Sequence, residues 1–202
     1  IYDHRVYDTR KDFIQLLYDD HQVKGTLYYN YADIGYADNK YRSTSGKASK
    51  TPTYSYTKEK NSVYGGDLQK IWNTDKSGKF LLGGEYKHEK YLPDANADSD
   101  LDYSRNIYSI YGQWDKNLDK TNNLILSTRG TWTGAAPDDK NFHNISSQVQ
   151  FLHKLDKNQS LYASIGQSFK MPTFKQIFGK TDGIVEGNPN VKPQTGIHYE
   201  MG

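Results

Sequence analysis

Apolar and polar residues alternate with a period of two along much of the chain, the pattern of extended strands with two chemically different faces. Val23, Gly25, Leu27, Tyr29 and Tyr31 fall on one side of such a segment, with Lys24, Thr26, Tyr28 and Asn30 on the other. Phe80, Leu82, Gly84 and Tyr86 stand opposite Leu81, Gly83, Glu85, Lys87 and Glu89. Tyr108, Ile110, Gly112 and Trp114 face away from Arg105, Ser109, Gln113 and Asp115. The same alternation sets Leu124, Leu126, Thr128 and Trp132 against Ser127, Arg129 and Thr131, and sets Ile145, Val149 and Phe151 against Ser146, Gln148 and Gln150. Leu161, Ala163 and Ile165 oppose Tyr162, Ser164, Gly166 and Ser168, and Pro172, which cannot donate to a ladder, ends pairing near Met171. Thr173 to Phe178 then reads as one short helical turn closed by Gly179.

The connections alternate in length. Asp75 to Gly78, Asn117 to Thr121 and Leu155 to Gln159 are tight turns, whereas residues 36–61, 93–103 and 135–143 read as longer polar loops. Ser77 to Asp119 is 42 residues and Asp119 to Lys157 is 38, a hairpin period without the side-chain similarity of a propeller or solenoid repeat. Short turns at one end and long loops at the other are what outer-membrane barrels show. An immunoglobulin-like sandwich mixes loop lengths at both ends and closes within about 100 residues. The expected fold is therefore all-β and antiparallel, a segment of about eight or nine strands of a transmembrane barrel with short periplasmic turns and long extracellular loops.

Composition at first argues otherwise: mean hydropathy is −0.92 and charged residues are 25%. No run approaches the roughly 20 apolar residues of a spanning helix, but a spanning strand needs only about 9 to 11 residues, alternate ones facing lipid. Low hydropathy thus excludes helical spans and leaves barrels open. The 18 tyrosines, 7 phenylalanines and 3 tryptophans suit surfaces with one apolar and one wet side. A net charge of +2, spread among acids, gives no footprint for nucleic acid. The absence of cysteine removes disulfides, thiolate metal sites and cysteine nucleophiles.

Catalytic patterns are missing. His4, His21, His88, His143, His153 and His198 show no metal-ligand spacing. Asp98, Asp100 and Asp102 alternate like the start of a calcium loop, yet Tyr103 stands where the loop needs glycine and Ser109 where it needs glutamate. Gly65-Gly66 and Gly83-Gly84 lie inside strand patterns with no following helix, so they read as bends or close approaches rather than phosphate cradles. The chain is not expected to be an enzyme or to carry a cofactor or metal of its own.

The last stretch, Ser160 to Gly202, carries the most specific pattern: Phe169, Lys170 and Pro172, then Asn188, Pro189, Asn190, Val191, Lys192 and Pro193, then Glu200 and Gly202. In order and spacing it resembles the late-barrel signature of TonB-dependent outer-membrane receptors. The stretch from Ser62 to Lys90, with a tight turn followed by Gly84-Glu85-Tyr86, resembles the same family. The resemblance implies residues 1–202 to be part of one barrel domain, of the 22-stranded plugged type, with the plug, the TonB-contacting segment and the closing strands outside this chain. Such a piece leaves two unpaired edges and is not expected to fold unaided in water.

What the resemblance implies about function is active uptake, in the bacterial outer membrane, of a scarce bulky nutrient, with TonB and membrane lipid as partners and no bond made or broken. Haem receptors of the family place a ligand histidine between the two proline steps, and no histidine lies between Pro172 and Asn188 here, so a ferric siderophore or similar iron chelate is the expected ligand ahead of haem. Tyr36, Tyr41, Arg42, Tyr54, Tyr56 and Lys58 offer aromatic faces and cations suited to a planar anionic chelate, with Lys170 and Lys175 as further candidates. A passive or adhesive barrel without energy coupling and a soluble tyrosine-rich sandwich that binds carbohydrate are the competing classes.

Overall fold

The structure, a computed structural model, describes residues 2–42, 48–74, 76–93, 102–178, 180–181 and 185–202, with side chains described for 7–35, 58–74, 76–93, 102–178 and 187–202. The strands in chain order are β1 (Tyr2–Asp19), β2 (Val23–Arg42), β3 (Ala48–Thr74), β4 (Gly78–Leu92), β5 (Tyr103–Asn117), β6 (Asn122–Gly134), β7 (His143–Lys154), β8 (Ser160–Lys170), β9 (Lys180–Thr181), β10 (Val185–Glu186) and β11 (Gln194–Met201). Helix α1 (Phe174–Phe178) follows β8. All but β9 and β10 form one antiparallel sheet in the order β1-β2-β3-β4-β5-β6-β7-β8-β11, with β1 and β11 as its edges; β9 and β10 pair with each other.

The ladder reaches further than the sequence pattern predicts. Of residues 36–61, expected as a loop, 36–42 continue β2 and 48–61 belong to β3, so that Tyr36 is opposite Thr57 and Arg42 opposite Ala48. Its polarity is misleading, because tyrosine and threonine favour strands whether or not either face is apolar. At 20 and 27 residues, β2 and β3 are about twice what crossing a bilayer requires, so the excess needs no lipid-facing side. β1 likewise escapes the sequence reading, since Asp8-Thr9-Arg10-Lys11-Asp12 is polar on both faces.

Burial is inverted relative to a water-soluble sheet. The apolar positions point out: Leu27 and Leu68 are each 61% exposed and Leu82 is 54% exposed, whereas Ser109 and Arg105 on the opposite face are 3% and 5% exposed. That is the arrangement of a wall whose outside meets hydrocarbon. Two aromatic rows bracket the outward face. Tyr86, Tyr108 and Trp132 are cross-strand partners with ring centroids 5.4 and 6.1 Å apart, and Phe80 stacks on Trp114 at 6.1 Å nearer the short turns. Six residues separate the rows on β4 and β5, about 20 Å of strand at about 3.4 Å per residue, on the scale of a lipid-facing band.

Three of the short turns share one device. Asp20, Asp119 and Asp156 each accept, through Oδ1, the backbone N–H groups two and three residues ahead, at 2.6 to 3.1 Å. These Asx turns satisfy amides that no ladder reaches. They also hold the Asp119 carboxyl well below the usual carboxylate range, through the Asn122 side-chain amide first and the Thr121 N–H next, and lower Asp20 through the Val23 N–H.

Candidate functional site

The inward face is a polar wall, and its glycines are where rings lie down. Gly65, Gly83 and Gly166 are the direct cross-strand partners of Tyr28, Tyr111 and His198. A Cβ added at these positions would stand 2.8 Å from the Tyr28 hydroxyl, 2.5 Å from the Tyr111 hydroxyl and 2.5 Å from His198 Nε2. The missing side chain is the space each flattened ring occupies, which is the close approach expected of a strand glycine.

The flattened Tyr111 reaches across two strands to donate to Asp67 Oδ2 at 2.5 Å. Arg129 lies over the Tyr111 ring, 5.3 Å from its centroid, and extends the other way, donating to Glu85 and to Ser109 Oγ at 2.8 Å. Ser109 shares a further bond with Thr131 at 3.2 Å. Asp67, Glu85, Ser109 and Thr131 are successive cross-strand partners, so one transverse row of β3 to β6 is polar throughout and internally bonded. Such a row is fixed in geometry and still presents carboxylate, guanidinium and hydroxyl groups to whatever lies inside the wall.

At the long-loop rim the connection after β8 folds back onto this wall. Thr173 caps α1: its N–H donates to Gln176 Oε1 at 2.9 Å while the Gln176 N–H donates to Thr173 Oγ1 at 3.2 Å, a reciprocal capping box. Arg105 holds the segment, donating through Nη1 to the Pro172 carbonyl at 2.8 Å, through Nη2 and Nε to Glu89 Oε2 at 2.7 and 2.9 Å, and lying 4.7 Å over the Phe174 ring. Phe174 and Ile177 are buried, Phe174 stacks with Tyr91 at 6.3 Å, and Phe178 stacks with Tyr103 at 4.2 Å. Lys175 bonds Glu59 at 2.8 Å. The result is a strap that narrows the space beside the wall.

The motif residues turn out to build this strap and its return. Phe169 and Lys170 end β8 opposite Thr195 and Gln194, and Pro172 supplies the carbonyl that Arg105 grips. The Asn188 N–H donates to the Gln176 carbonyl at 2.8 Å, its Oδ1 accepts the Asn190 N–H at 2.9 Å, and Lys140 reaches the Pro189 carbonyl at 2.5 Å. Lys192 and Pro193 lead directly into β11. Glu200 accepts the Tyr162 hydroxyl at 2.9 Å, and Gly202 sits under the Tyr162 ring.

Of the ligand candidates, Tyr36, Tyr41, Arg42, Tyr54 and Tyr56 have strand backbone in the β2–β3 hairpin, and their side chains lie outside the described residues. Lys58 pairs with Asp33 at 3.2 Å on the side of the outward rows, not over the wall. Lys175 is on the strap, and Lys170 is at the exit of β8. Asp98 and Asp100 are outside the described residues, and Asp102 pairs with Lys90 at 2.5 Å. His88 and His153 bond asparagine Oδ1 atoms across strands, each at 2.8 Å. Sequence reading missed the Arg105 anchor and the Tyr111–Asp67–Arg129–Glu85 cluster; the available signal was that these residues sit on the polar side of strands whose other side is apolar.

Residues 2–202 match the family profile described as "TonB dependent receptor-like, beta-barrel". A search of curated proteins returned no match. Among solved structures the fold is similar to that of a protein titled "Copper transporter OprC", at a TM-score of 0.70 and 16% identity, covering 96% of this chain and 35% of that one. It is also similar to the siderophore receptor PirA from Acinetobacter baumannii, at a TM-score of 0.68 and 14% identity, covering 98% of this chain and 32% of that one. The chain thus spans about a third of either structure. With its outward apolar band, polar inner wall and a family match over nearly its whole length, the chain belongs to the TonB-dependent receptors of the bacterial outer membrane, as β-barrel wall.

Proposed function

We propose that this chain is part of the barrel of a receptor that takes up a ferric chelate of the siderophore class, energised through TonB acting on a plug domain. The observation that carries the reading is the family match over residues 2–202. The inner wall supports it, because a fixed row of carboxylate, hydroxyl and guanidinium groups suits contact with a hydrated, movable plug better than an empty diffusive pore. PirA, by its title, is a siderophore receptor, and OprC, by its title, transports copper. A chelate is favoured over copper by the ligand chemistry: the sequence has no cysteine and only two methionines, Met171 and Met201, where copper(I) prefers soft sulfur donors. Tyr36, Tyr41, Arg42, Tyr54 and Tyr56 of the β2–β3 hairpin are the proposed outer contacts for a planar anionic chelate, and Lys58, paired with Asp33 on the outward side, is not among them.

The test is uptake by cells carrying the full-length gene, with and without TonB, in parallel arms supplied with labelled ferric siderophores, haem and copper. Siderophore uptake that disappears without TonB is the expected result. Copper-only or haem-only uptake would reassign the ligand, and uptake indifferent to TonB would make the protein a passive barrel.

A further inference from the structure

The inward face divides across the sheet into a charged part and an uncharged part. On β3 to β6 it carries Asp67, Glu85 and Glu89 with Arg105 and Arg129, tied to one another and to neighbouring hydroxyls by the bonds described above. On β7 the same face presents Asn144, Ser146, Gln148 and Gln150, and on β8 it presents Tyr162, Ser164 and Ser168, with no charged side chain among them. The register fixes this side, because Ile145, Val149, Leu161 and Ile165 alternate with these residues and are exposed outward. Arg129 and Glu200 flank the strip on β6 and β11, and each is already bonded, to Glu85 and to the Tyr162 hydroxyl. Along the strands, Lys170 at the outer end of β8 and Lys154 at the short-turn end of β7 share the inward side and bound the strip.

The strap divides the rim in the same way. The ring contacts and the ion pair of α1 go to Glu59 on β3, Tyr91 on β4, and Tyr103 and Arg105 on β5, so the helix lies over the outer end of the charged part. Its return toward β11 is held from the β6–β7 connection, by Lys140 at the Pro189 carbonyl. The helix therefore packs on one part of the wall and not along the other, although it is β8 that leads into it.

We propose that the transported chelate moves along the uncharged strip of β7 and β8, with Lys170 at its entrance and Lys154 at its exit. The inference rests on the proposed uptake of an anionic chelate and adds where along the wall that chelate passes. Passage needs contacts strong enough to admit a solute and weak enough to release it. The carboxylates of the charged part repel an anion, and a guanidinium there would hold it through paired, charge-assisted bonds. Serine, asparagine and glutamine offer donors and acceptors without a net charge, so successive positions on β7 and β8 differ little for a chelate edged with oxygen atoms. The two lysines lie where attraction is useful, at the ends, and the stretch between them has no charge to trap or exclude what passes.

The test separates uptake from surface binding in cells carrying the full-length receptor, with radioiron-labelled ferric catecholate and ferric citrate, two anionic chelates, as probes. Asn144→Asp combined with Gln148→Glu keeps side-chain size and puts two carboxylates on the strip. It is expected to slow TonB-dependent uptake at least about fivefold and to leave binding to cells lacking TonB unchanged. Gln69→Glu, on the inward face of β3, is expected to leave both unchanged. Equal slowing by the two changes would overturn the proposal, as would normal uptake by the β7 variant or a fall in its binding that matches the fall in uptake. Ser168→Trp obstructs the strip on β8 without adding charge: slower uptake with intact binding is expected, and normal uptake overturns the proposal. TonB-dependent uptake that none of these changes slows refutes the path alone. Its absence from the unaltered receptor refutes the proposed function and the path together.

Discussion

Gly83 and Gly166 show how one missing side chain decides the shape of a face. Each leaves room for the ring opposite, and for Gly83 that ring belongs to Tyr111, which bonds Asp67. Gly83→Val is expected to expel the ring, break that bond and cost about 1–3 kcal/mol through overpacking, read from denaturant unfolding of the full receptor. Asp119 acts at the other extreme of exposure. Its carboxyl is held below the range of an unfolded aspartate, so its contribution is fully present above about pH 3.9 and is lost as pH falls through the lower folded value. Protection of the Thr121 and Asn122 amides from hydrogen exchange is expected to be constant from neutral pH down to about 4 and to decline below. Asp119→Ala should remove it at neutral pH, in those two amides and not in the flanking strands. The turns that hold Asp119 and Asp156 were legible in the sequence, and the paired glycines were legible as bends or close approaches. Their partners were not, because Tyr111 and Asp67 are 44 residues apart and only the register of β3, β4 and β5 brings them together.

Among elements, the strap after β8 depends most on one residue. Arg105 is 5% exposed and meets Glu89, the Pro172 carbonyl and the Phe174 ring together. Arg105→Ala would leave Glu89 with Lys87 alone, at 3.1 Å, and free the Pro172 carbonyl and the Phe174 ring, so a local loss of about 1.5–3 kcal/mol is expected, seen as faster limited proteolysis within residues 171–178. Lys175→Ala removes an ion pair whose lysine is 54% exposed, and is expected to cost no more than about 1 kcal/mol. Equal effects would contradict the assignment of Arg105 as the anchor. The strap's helix was readable, because Pro172 stops the strand before it and a glycine follows Phe178 in the sequence; the capping box of Thr173 and Gln176 was not read. The six alternating strands were readable for the same local reason. The extension of β2 and β3 was not, since a strand beyond the bilayer has no apolar face to announce it.

For the whole molecule, the decisive property is that one side of the sheet meets lipid and the other does not. Leu82→Arg, near the middle of the outward band, is expected to weaken folding into a bilayer by about 2–4 kcal/mol, whereas Gln113→Arg on the inner wall should cost little. Family membership was legible from the spacing of a few prolines, asparagines and glycines, and the structure gives those residues work in the strap and in its return to β11. The ligand was not legible, because aromatic and cationic residues in a polar stretch such as 36–61 indicate a class of ligand and not one ligand. The most direct test places single cysteine labels along β4 to β7 of the full-length receptor in lipid vesicles and measures quenching by a lipid-borne quencher. Labels at Leu82, Ile110, Leu126 and Val149 are predicted to be quenched, and labels at Leu81, Gln113, Ser127 and Gln148 to be protected. Equal quenching of the two sets, or quenching of the second set alone, would contradict the orientation of the wall.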